Sequence, residues 1–557
     1  MKIITRINLT IAIAFSLFLI NTSYAQEEGP SSRLEIEEII VTGTKRDIGQ
    51  QDAAIAVSAI TEQAFANQNA NDPRAIASLV PNVTLTLQPA FNAVAGGIRG
   101  TGSISILVTE DPSVAFLVDD FGLNHVQSQF IEMFDIEQIE VYRGPQGTLF
   151  GKNATGGVIS VTTKKPVLDE WSGEFSAMAG QYDWNEGSIN KFKLALNAPI
   201  VEGKIAMRVA AIWDKSQGFY TNSKPAGDFP GPIVLNPAAA WPDDGTSLSN
   251  VGDGGDLGGK DVLAAKVKLL FEPNANYSGH LIFEISKDDS GAPPTVNETD
   301  CPGGQLFCLL GFPGIHTPSP NWGGEKWSNP YATGESFHCN SVIAICKGHR
   351  MDSKGVYFNQ TFAIGDNYTL KSITGYRNHE ERNASTYTGE AFASLYDASR
   401  NTERDQMQQE FRLTSEYDGP FNFTAGVSYA EDNLNFAAYA AVGLQWFLGV
   451  PGWIHTDYSS TATHQNRTSK AYYFDFTYEI NEAWRISAGI RETEDEKQFV
   501  RETGTLGNNA LGRPNNNIST GGYTRDSDIA LYNTDWLSCD LRTICVDNKD
   551  DWSESTY

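Results

Sequence analysis

Beyond residue 20 the 557-residue chain has no segment of about 20 continuous apolar residues, the length a membrane-crossing helix needs. A helical membrane architecture is excluded. The one apolar run, residues 9–20, is shorter; it follows Lys2 and Arg6 and precedes Ser23-Tyr24-Ala25, small residues of the kind a signal peptidase accepts. Residues 1–25 therefore read as an export signal. Basic residues are scarce, 41 against 68 acidic ones for a formal charge of −27, which argues against a nucleic-acid partner. A phosphate loop is also missing. Gly151-Lys152 has Gln146 where such a loop needs its first glycine, and Asn153 where it needs a hydroxyl. No Gly-x-Ser-x-Gly elbow is present, so no catalytic residue is assigned and no enzyme is expected. No His, Asp or Glu cluster identifies a metal, and no cofactor is expected.

Cysteines number only six, in three close pairs: Cys301/Cys308, Cys339/Cys346 and Cys539/Cys545. With an export signal, local disulfides fit this spacing. Zinc binding is the alternative, although the Cys-x6-Cys and Cys-x5-Cys gaps are wider than usual ligand spacing and His338 adds only one weak donor.

What the chain does have is alternation. From Trp171 onward its apolar residues recur with period two in paired runs joined by tight turns. Phe192, Leu194 and Leu196 share a face, the chain turns through Pro199 to Lys204, and Ile205, Met207 and Val209 resume it. Lys266 and Lys268 oppose Val267, Leu269 and Phe271. Tyr472, Phe474, Phe476 and Tyr478 are followed by Trp484, Ile486 and Ile490. Further pairs flank Gly365-Asp366-Asn367 and Asp418-Gly419. Long connections, roughly residues 215–260, 288–353, 378–403, 431–466 and 494–550, alternate with these short turns and hold all three cysteine pairs. A soluble β-sandwich also alternates, but its loops are short. Short turns at one end and long loops at the other predict a transmembrane β-barrel. About eleven strands are expected, with another just beginning at residues 550–557, so a fragment of a longer product is expected.

The preceding region divides into an arm, residues 26–52, and a small α+β domain, residues 53–166. Helix starts are expected at Thr61-Glu62 and Asp72-Pro73, and strands over "AFLVD" and "IEQIEVYRG". Residues 142–157 are rich in glycine around Arg143 and Lys152, which predicts tight turns and close backbone approach. In the arm, Ile36, Ile39, Ile40 and Val41 form a β-prone strip that can add as a strand to a partner's sheet edge.

Several motifs carry a resemblance. "EEIIVTGTKR" (37–46), "LVPNVTL" (79–85), "GGIRG" (96–100), "PSVAFLVDD" (112–120) and "FDIEQIEVYRGPQGTLFGKNATGGVISVTTKKP" (134–166) resemble successive segments of the TonB-dependent outer-membrane receptors. The resemblance covers about 130 residues, and the last motif is its most specific part. It implies an α+β plug domain, residues 53–166, followed by an antiparallel transmembrane β-barrel, residues 167–557, whose full family form has about 22 strands. It implies a TonB box at Glu37, Glu38, Ile39, Ile40, Val41 and Thr42, bound by the C-terminal domain of TonB, itself driven by ExbB and ExbD. Plug–barrel contacts are expected at Arg99, Arg143, Gly144, Gly147, Gly151, Gly156 and Gly157, with the arginines facing acidic residues of the barrel interior. Candidate ligand contacts are Phe91, His125, Gln127, Trp446, Phe447 and Trp453. The box begins about ten residues after the cleavage site, which leaves no room for a signalling domain and predicts a transporter. The expected setting is a monomer in the outer-membrane lipid of a Gram-negative bacterium. A ferric siderophore is the default cargo; cobalamin or oligosaccharide uptake, and a surface adhesin or phage-binding barrel without energised transport, are the alternatives.

Overall fold

The computed structural model describes residues 40–217, 220–221, 256–290, 338–339, 346–386, 397–441, 458–506 and 544–556, apart from breaks at 43–44, 47, 52, 54, 69–71, 89–92, 104–106, 130, 183–186, 258, 348 and 482–483. The export signal and Glu37, Glu38 and Ile39 lie outside the described residues.

The arm forms a two-residue ribbon, β1 (Ile40–Val41) against β2 (Ile48–Gly49). The plug follows. Its main sheet contains β3 (Val57–Thr61), β7 (Val114–Val118), β8 (Phe121–Gly122), β9 (Ile136–Arg143) and β10 (Gly157–Thr163), in the order β3-β9-β10-β7-β8. Only β10 and β7 run parallel. A second sheet pairs β4 (Val83–Gln88), β5 (Ala93–Ile98) and β6 (Thr101–Ser103). Three short helices complete it: α1 (Glu62–Ala66), α2 (Arg74–Leu79) and α3 (Gly147–Phe150).

Both expected helix starts are present for the expected reason. The Thr61 hydroxyl accepts from the Ala64 amide, and Asp72 Oδ1 accepts from the Arg74 amide at 3.0 Å, satisfying amides that the first turn leaves unpaired. Strand β7 is buried along its whole length and so reads as an unbroken apolar run, as expected for a strand covered on both faces. Ile60, Phe65, Ile76, Ile98, Phe116, Ile139 and Ile159 form the core, which continues through Phe121 into Ile282 and Tyr357 of the surrounding wall.

That wall is one antiparallel sheet of twelve strands in sequence order. It begins with β11 (Ser172–Gln181), β12 (Ser188–Val201) and β13 (Ile205–Ser216). A ribbon of β14 (Tyr220–Thr221) and β15 (Asp256–Leu257) stands apart from it before β16 (Lys260–Asn274) and β17 (Tyr277–Asp288). A second ribbon, β18 (His338–Cys339) with β19 (Cys346–Lys347), precedes β20 (His349–Ile364), β21 (Tyr368–Thr386) and β22 (Asp397–Ser415). The wall ends with β23 (Phe421–Ala441), β24 (Tyr458–Asn481), β25 (Trp484–Leu506) and β26 (Ile544–Thr556).

The alternation predicted from sequence sets the two faces. Phe192, Leu194, Leu196, Tyr472, Phe474, Tyr478, Trp484, Ile486 and Ile490 lie exposed on the outer face, whereas Lys266 and Lys268 are buried on the inner one. Stacked or tilted aromatic pairs, Phe421 with Phe476 and Phe423 with Phe474, sit beside the short turns, as in an interfacial girdle.

The wall's twelve strands are the eleven or so expected and the one expected to begin near residue 550: residues 544–556 pair with β25 despite their polar composition. One expectation is corrected. Several connections read as loops are strand: β24 has 24 residues and β25 has 23, so 458–466 and 494–506 belong to the ladder, as do 378–386, 397–403 and 431–441. Crossing the hydrocarbon takes about 10 tilted residues. On β24 the outward residues are aromatic from Tyr472 to Tyr478 and turn polar at Lys470, Thr468 and Asn466. The apolar signal stops where lipid would stop; backbone pairing does not.

Candidate functional site: the arm, the plug and the barrel wall

The arm is seated by the plug's β9. Val41 is fully buried, while Ile40 is 53% exposed. The Thr42 amide donates to Glu140 Oε1 at 2.9 Å and its hydroxyl to Oε2 at 2.8 Å. Gln138 Nε2 donates to both the Ile40 carbonyl and Glu140 Oε1, each at 2.8 Å. Tyr142 also donates to Glu140; burial, then that carboxylate, pushes the phenol's pKa well up, so it stays a donor. Glu140 is thus a buried carboxylate satisfied by donors from both the arm and the plug. Three residues on, Lys45 packs 4.1 Å from the Phe150 ring centroid and 3.6 Å from Asp120. Arg46 Nε donates to Thr424 Oγ1 of the wall at 3.3 Å.

The plug meets the wall through ions and carbonyls. Arg208 of β13 contacts both Asp135 oxygens, at 2.5 to 3.1 Å, and Lys268 of β16 reaches Asp135 at 3.1 Å and the Lys164 carbonyl at 2.6 Å. Asp120, at the tip of the β7–β8 hairpin, lies 3.7 Å from Arg412 and 3.9 Å from Lys371. Arg467 pairs with Asp111, Arg404 donates to the Val108 carbonyl at 2.9 Å, and Lys497 to the Thr109 carbonyl at 2.7 Å. Asn359 donates to the Asp119 carbonyl at 2.9 Å, and Gln408 both donates to the Asp120 carbonyl and accepts from the Gly122 amide.

The polarity of these pairs reverses the sequence expectation: acidic groups sit on the plug and basic groups on the wall. Among the described residues neither Arg99 nor Arg143 forms an ion pair with the wall. Arg99 is exposed, in left-handed backbone at φ 54°, with Nη1 beside Gly144. Arg143 donates its amide to Ala56 O at 2.9 Å within the plug. Asp119, Asp120 and Asp135 stood inside the quoted motifs, and Arg208 and Lys268 on inward positions of alternating strands. Inward cations facing a glycine-rich acidic insert were the signal available.

The expected contact glycines divide. A Cβ on Gly151, at φ 74°, would lie 2.7 Å from Arg491 Nη2, so Gly151 admits the wall. Gly144, Gly156 and Gly157 approach plug atoms instead: the Gly144 amide donates to the Gly156 carbonyl, and a Cβ on Gly157 would meet Tyr142 O at 2.3 Å. Gly147 opens α3. Sequence reading missed wall glycines that make room for rings. A Cβ on Gly375 would lie 2.4 Å from the Phe121 ring of the plug, and those on Gly355 and Gly426 would strike Tyr357 and Tyr473.

The candidate ligand contacts His125 and Gln127 are buried, at 1% and 3% exposure. His125 Nε2 lies 3.9 Å from Asp432. Burial, then Arg404, holds the imidazole's pKa well below its usual value, so it is neutral at pH 7. Neither residue presents a surface to a ligand in this arrangement. Phe91, Trp446, Phe447, Trp453, Cys301, Cys308 and Cys539 lie outside the described residues. The register of β18 and β19 places Cys339 opposite Cys346, and Cys545 lies on β26. Among the described residues no His, Cys, Asp or Glu group could hold a metal ion.

Comparison with known proteins agrees with this architecture. Residues 49–158 match the TonB-dependent Receptor Plug Domain. The ferric enterobactin receptor of Pseudomonas aeruginosa is 28% identical over 237 residues, 39% of this chain and 31% of that protein, so the match spans about a third of the relative's length. The ferric yersiniabactin uptake receptor FyuA from Yersinia pestis shares the fold at a TM-score of 0.61 and 15% identity, over 90% of this chain and 61% of that one. The siderophore receptor PiuA from Acinetobacter baumannii does so at 0.55 and 14%, over 91% and 62%. The chain thus combines a domain that matches the TonB-dependent receptor plug with an antiparallel wall that has the fold of these receptors.

Proposed function

We propose that the chain forms the plug and part of the barrel of an outer-membrane receptor that imports a ferric siderophore with energy delivered through the arm. The observation that carries this reading is the Thr42–Glu140 seat. A β-prone strip is held to the plug by a few hydrogen bonds, close to ion pairs that hold the plug to the wall. The hydrogen bonds of the seat are individually weak enough to exchange with water, as an arm released in every cycle requires.

In this reading residues 1–25 direct export, and Glu37, Glu38, Ile39, Ile40, Val41 and Thr42 pair as an added strand with the C-terminal domain of TonB, driven by ExbB and ExbD. Ligand occupancy favours arm release, which requires only that the cargo bind one plug arrangement better than the other. Phe91, Trp446, Phe447 and Trp453 are the proposed ligand contacts, with aromatic rings to stack on a chelator. Cys301–Cys308, Cys339–Cys346 and Cys539–Cys545 are proposed as loop disulfides. The siderophore assignment is supported by relatives such as the ferric enterobactin receptor of Pseudomonas aeruginosa. No covalent chemistry is involved, and the receptor acts as a monomer in outer-membrane lipid.

The test is uptake by cells carrying the complete locus, with and without residues 36–42, against labelled ferric chelates, cobalamin and glycans. Loss of ferric-chelate uptake on arm deletion, with surface binding retained, is the expected result. Arm-independent uptake of every cargo would refute energised transport, and arm-dependent uptake of cobalamin or a glycan alone would refute the siderophore.

A further inference from the structure

Lys45 is the buried cation of the arm, its side chain 6% exposed. Its ammonium shares one carboxylate, Asp120, with two wall cations, Arg412 at 3.7 Å and Lys371 at 3.9 Å. The other carboxylate nearby, Glu410, is held by Arg412 at 2.8 Å and by the Tyr473 hydroxyl at 2.7 Å. Three cations therefore meet two carboxylates. Remove Lys45 and these charges balance; insert it and a third cation is added on a side chain only 6% exposed, beside a Lys371 side chain that keeps 44% of its surface in solvent. The Phe150 ring face and Asp120 attract the ammonium, while burial and like charges oppose it.

We infer that Lys45 is a positioning residue that keeps the docked arm metastable: its charge weakens the arm's seat, so that a small bias from ligand or partner frees it while Asp120, Arg412 and Glu410 still hold the plug. This rests on the reading of the arm as the energised element. The seat of Ile40–Thr42 supplies attraction, and Lys45, three residues on, opposes it. When the arm leaves, the Phe150 ring on α3 loses its cover, so arm movement reaches the glycine-rich segment whose Gly151 rests on Arg491.

Direction of charge regulation follows from the same geometry. Burial, then Arg412, lowers the lysine to about 8 despite Asp120 and Glu410, with Lys371 adding to the depression. The docked arm thus holds its proton less tightly than the free arm. Docking strengthens as pH rises from about 8 toward the usual lysine value near 10.4.

Hydrogen exchange at the amides of residues 40–42, measured by mass spectrometry on the purified full chain in detergent, tests this without any partner. Lys45→Met keeps the stem against Phe150 and removes the charge. It should slow exchange about tenfold at pH near 7, part of the penalty that a shift of this size implies. Lys45→Arg should match the wild type there. At pH near 9.5, each compared at the same pH, the wild type should approach Lys45→Met, and Lys45→Arg should not. Exchange in Lys45→Met as fast as, or faster than, the wild type at neutral pH overturns the proposal, as does convergence of Lys45→Arg at high pH. Capture by the TonB C-terminal domain is measured in parallel. Failure to capture any form would count against the proposed function, while exchange alone decides the role of Lys45.

Discussion

Arg208 on the wall grips Asp135 on the plug through two nitrogens, with Nη2 at 2.5 Å and Nε at 3.0 Å from the same carboxylate oxygen. The backbone at Asp135 is left-handed, φ 56°, so the plug holds an unfavourable conformation to aim this carboxylate at the wall. Lys268 adds a third donor. The plug is thereby anchored at the end of the barrel where the short turns lie.

Asp135→Asn should loosen that anchor by about 3 kcal/mol, because two buried cations lose their counter-charge. Denaturant titration in detergent, followed by exchange protection of plug amides, measures it. Burial alone would raise the Asp135 carboxyl, but Arg208 and Lys268 outweigh burial and hold it below the usual range. A depressed carboxylate stabilises above its unfolded-state pKa near 3.9, and that contribution is lost as pH falls below it. Wild-type anchoring should weaken on acidification through that window; the Asn variant should change less.

Glu132 should act in the opposite sense. It faces Lys260 at 3.6 Å; burial, opposed by Lys260 but reinforced by Asp214, Asp288 and Asp72, pushes the carboxyl up to about 7. A raised carboxyl stabilises most below its unfolded value, and the contribution disappears as pH rises toward 7. Glu132→Gln, always neutral, should hold the plug about 2 kcal/mol more tightly than wild type above neutrality and equally at pH near 4. Equal stability at both ends of the range would contradict this.

Gly375 is where the wall yields to a plug ring, and Gly375→Ala should push Phe121 out of its site at about 1–3 kcal/mol. Phe121→Leu combined with it should recover part of the loss, since the two changes act on one contact. Additive losses in the double variant would mean the contact is not shared.

Thr42→Val removes one hydroxyl donor to Glu140 and leaves the backbone donor in place. Exchange at residues 40–42 should quicken several-fold, corresponding to about 1 kcal/mol. An unchanged rate would show that the hydroxyl does not hold the arm.

Much of this molecule was legible from residue order. Alternation along 192–196, 205–209 and 472–490 marked strands and their outward faces, because a pleated strand sends successive side chains to opposite sides and lipid accepts only apolar ones. Thr61 and Asp72 marked helix starts, because a first turn leaves amides without partners. The quoted plug motifs marked the domain that residues 49–158 match.

What only tertiary structure decided is who faces whom. Arg99 and Arg143 drew attention in sequence, yet the wall is met by Asp111, Asp120 and Asp135. His125 looked like a ligand contact and is enclosed. Beyond the apolar band, β24 and β25 run on with polar residues on their outward face, where period two no longer distinguishes strand from loop. Local sequence encodes the solvent on each side of a strand. It does not encode which of two charges, hundreds of residues apart, will share a buried site, because that depends on how the wall packs against the plug.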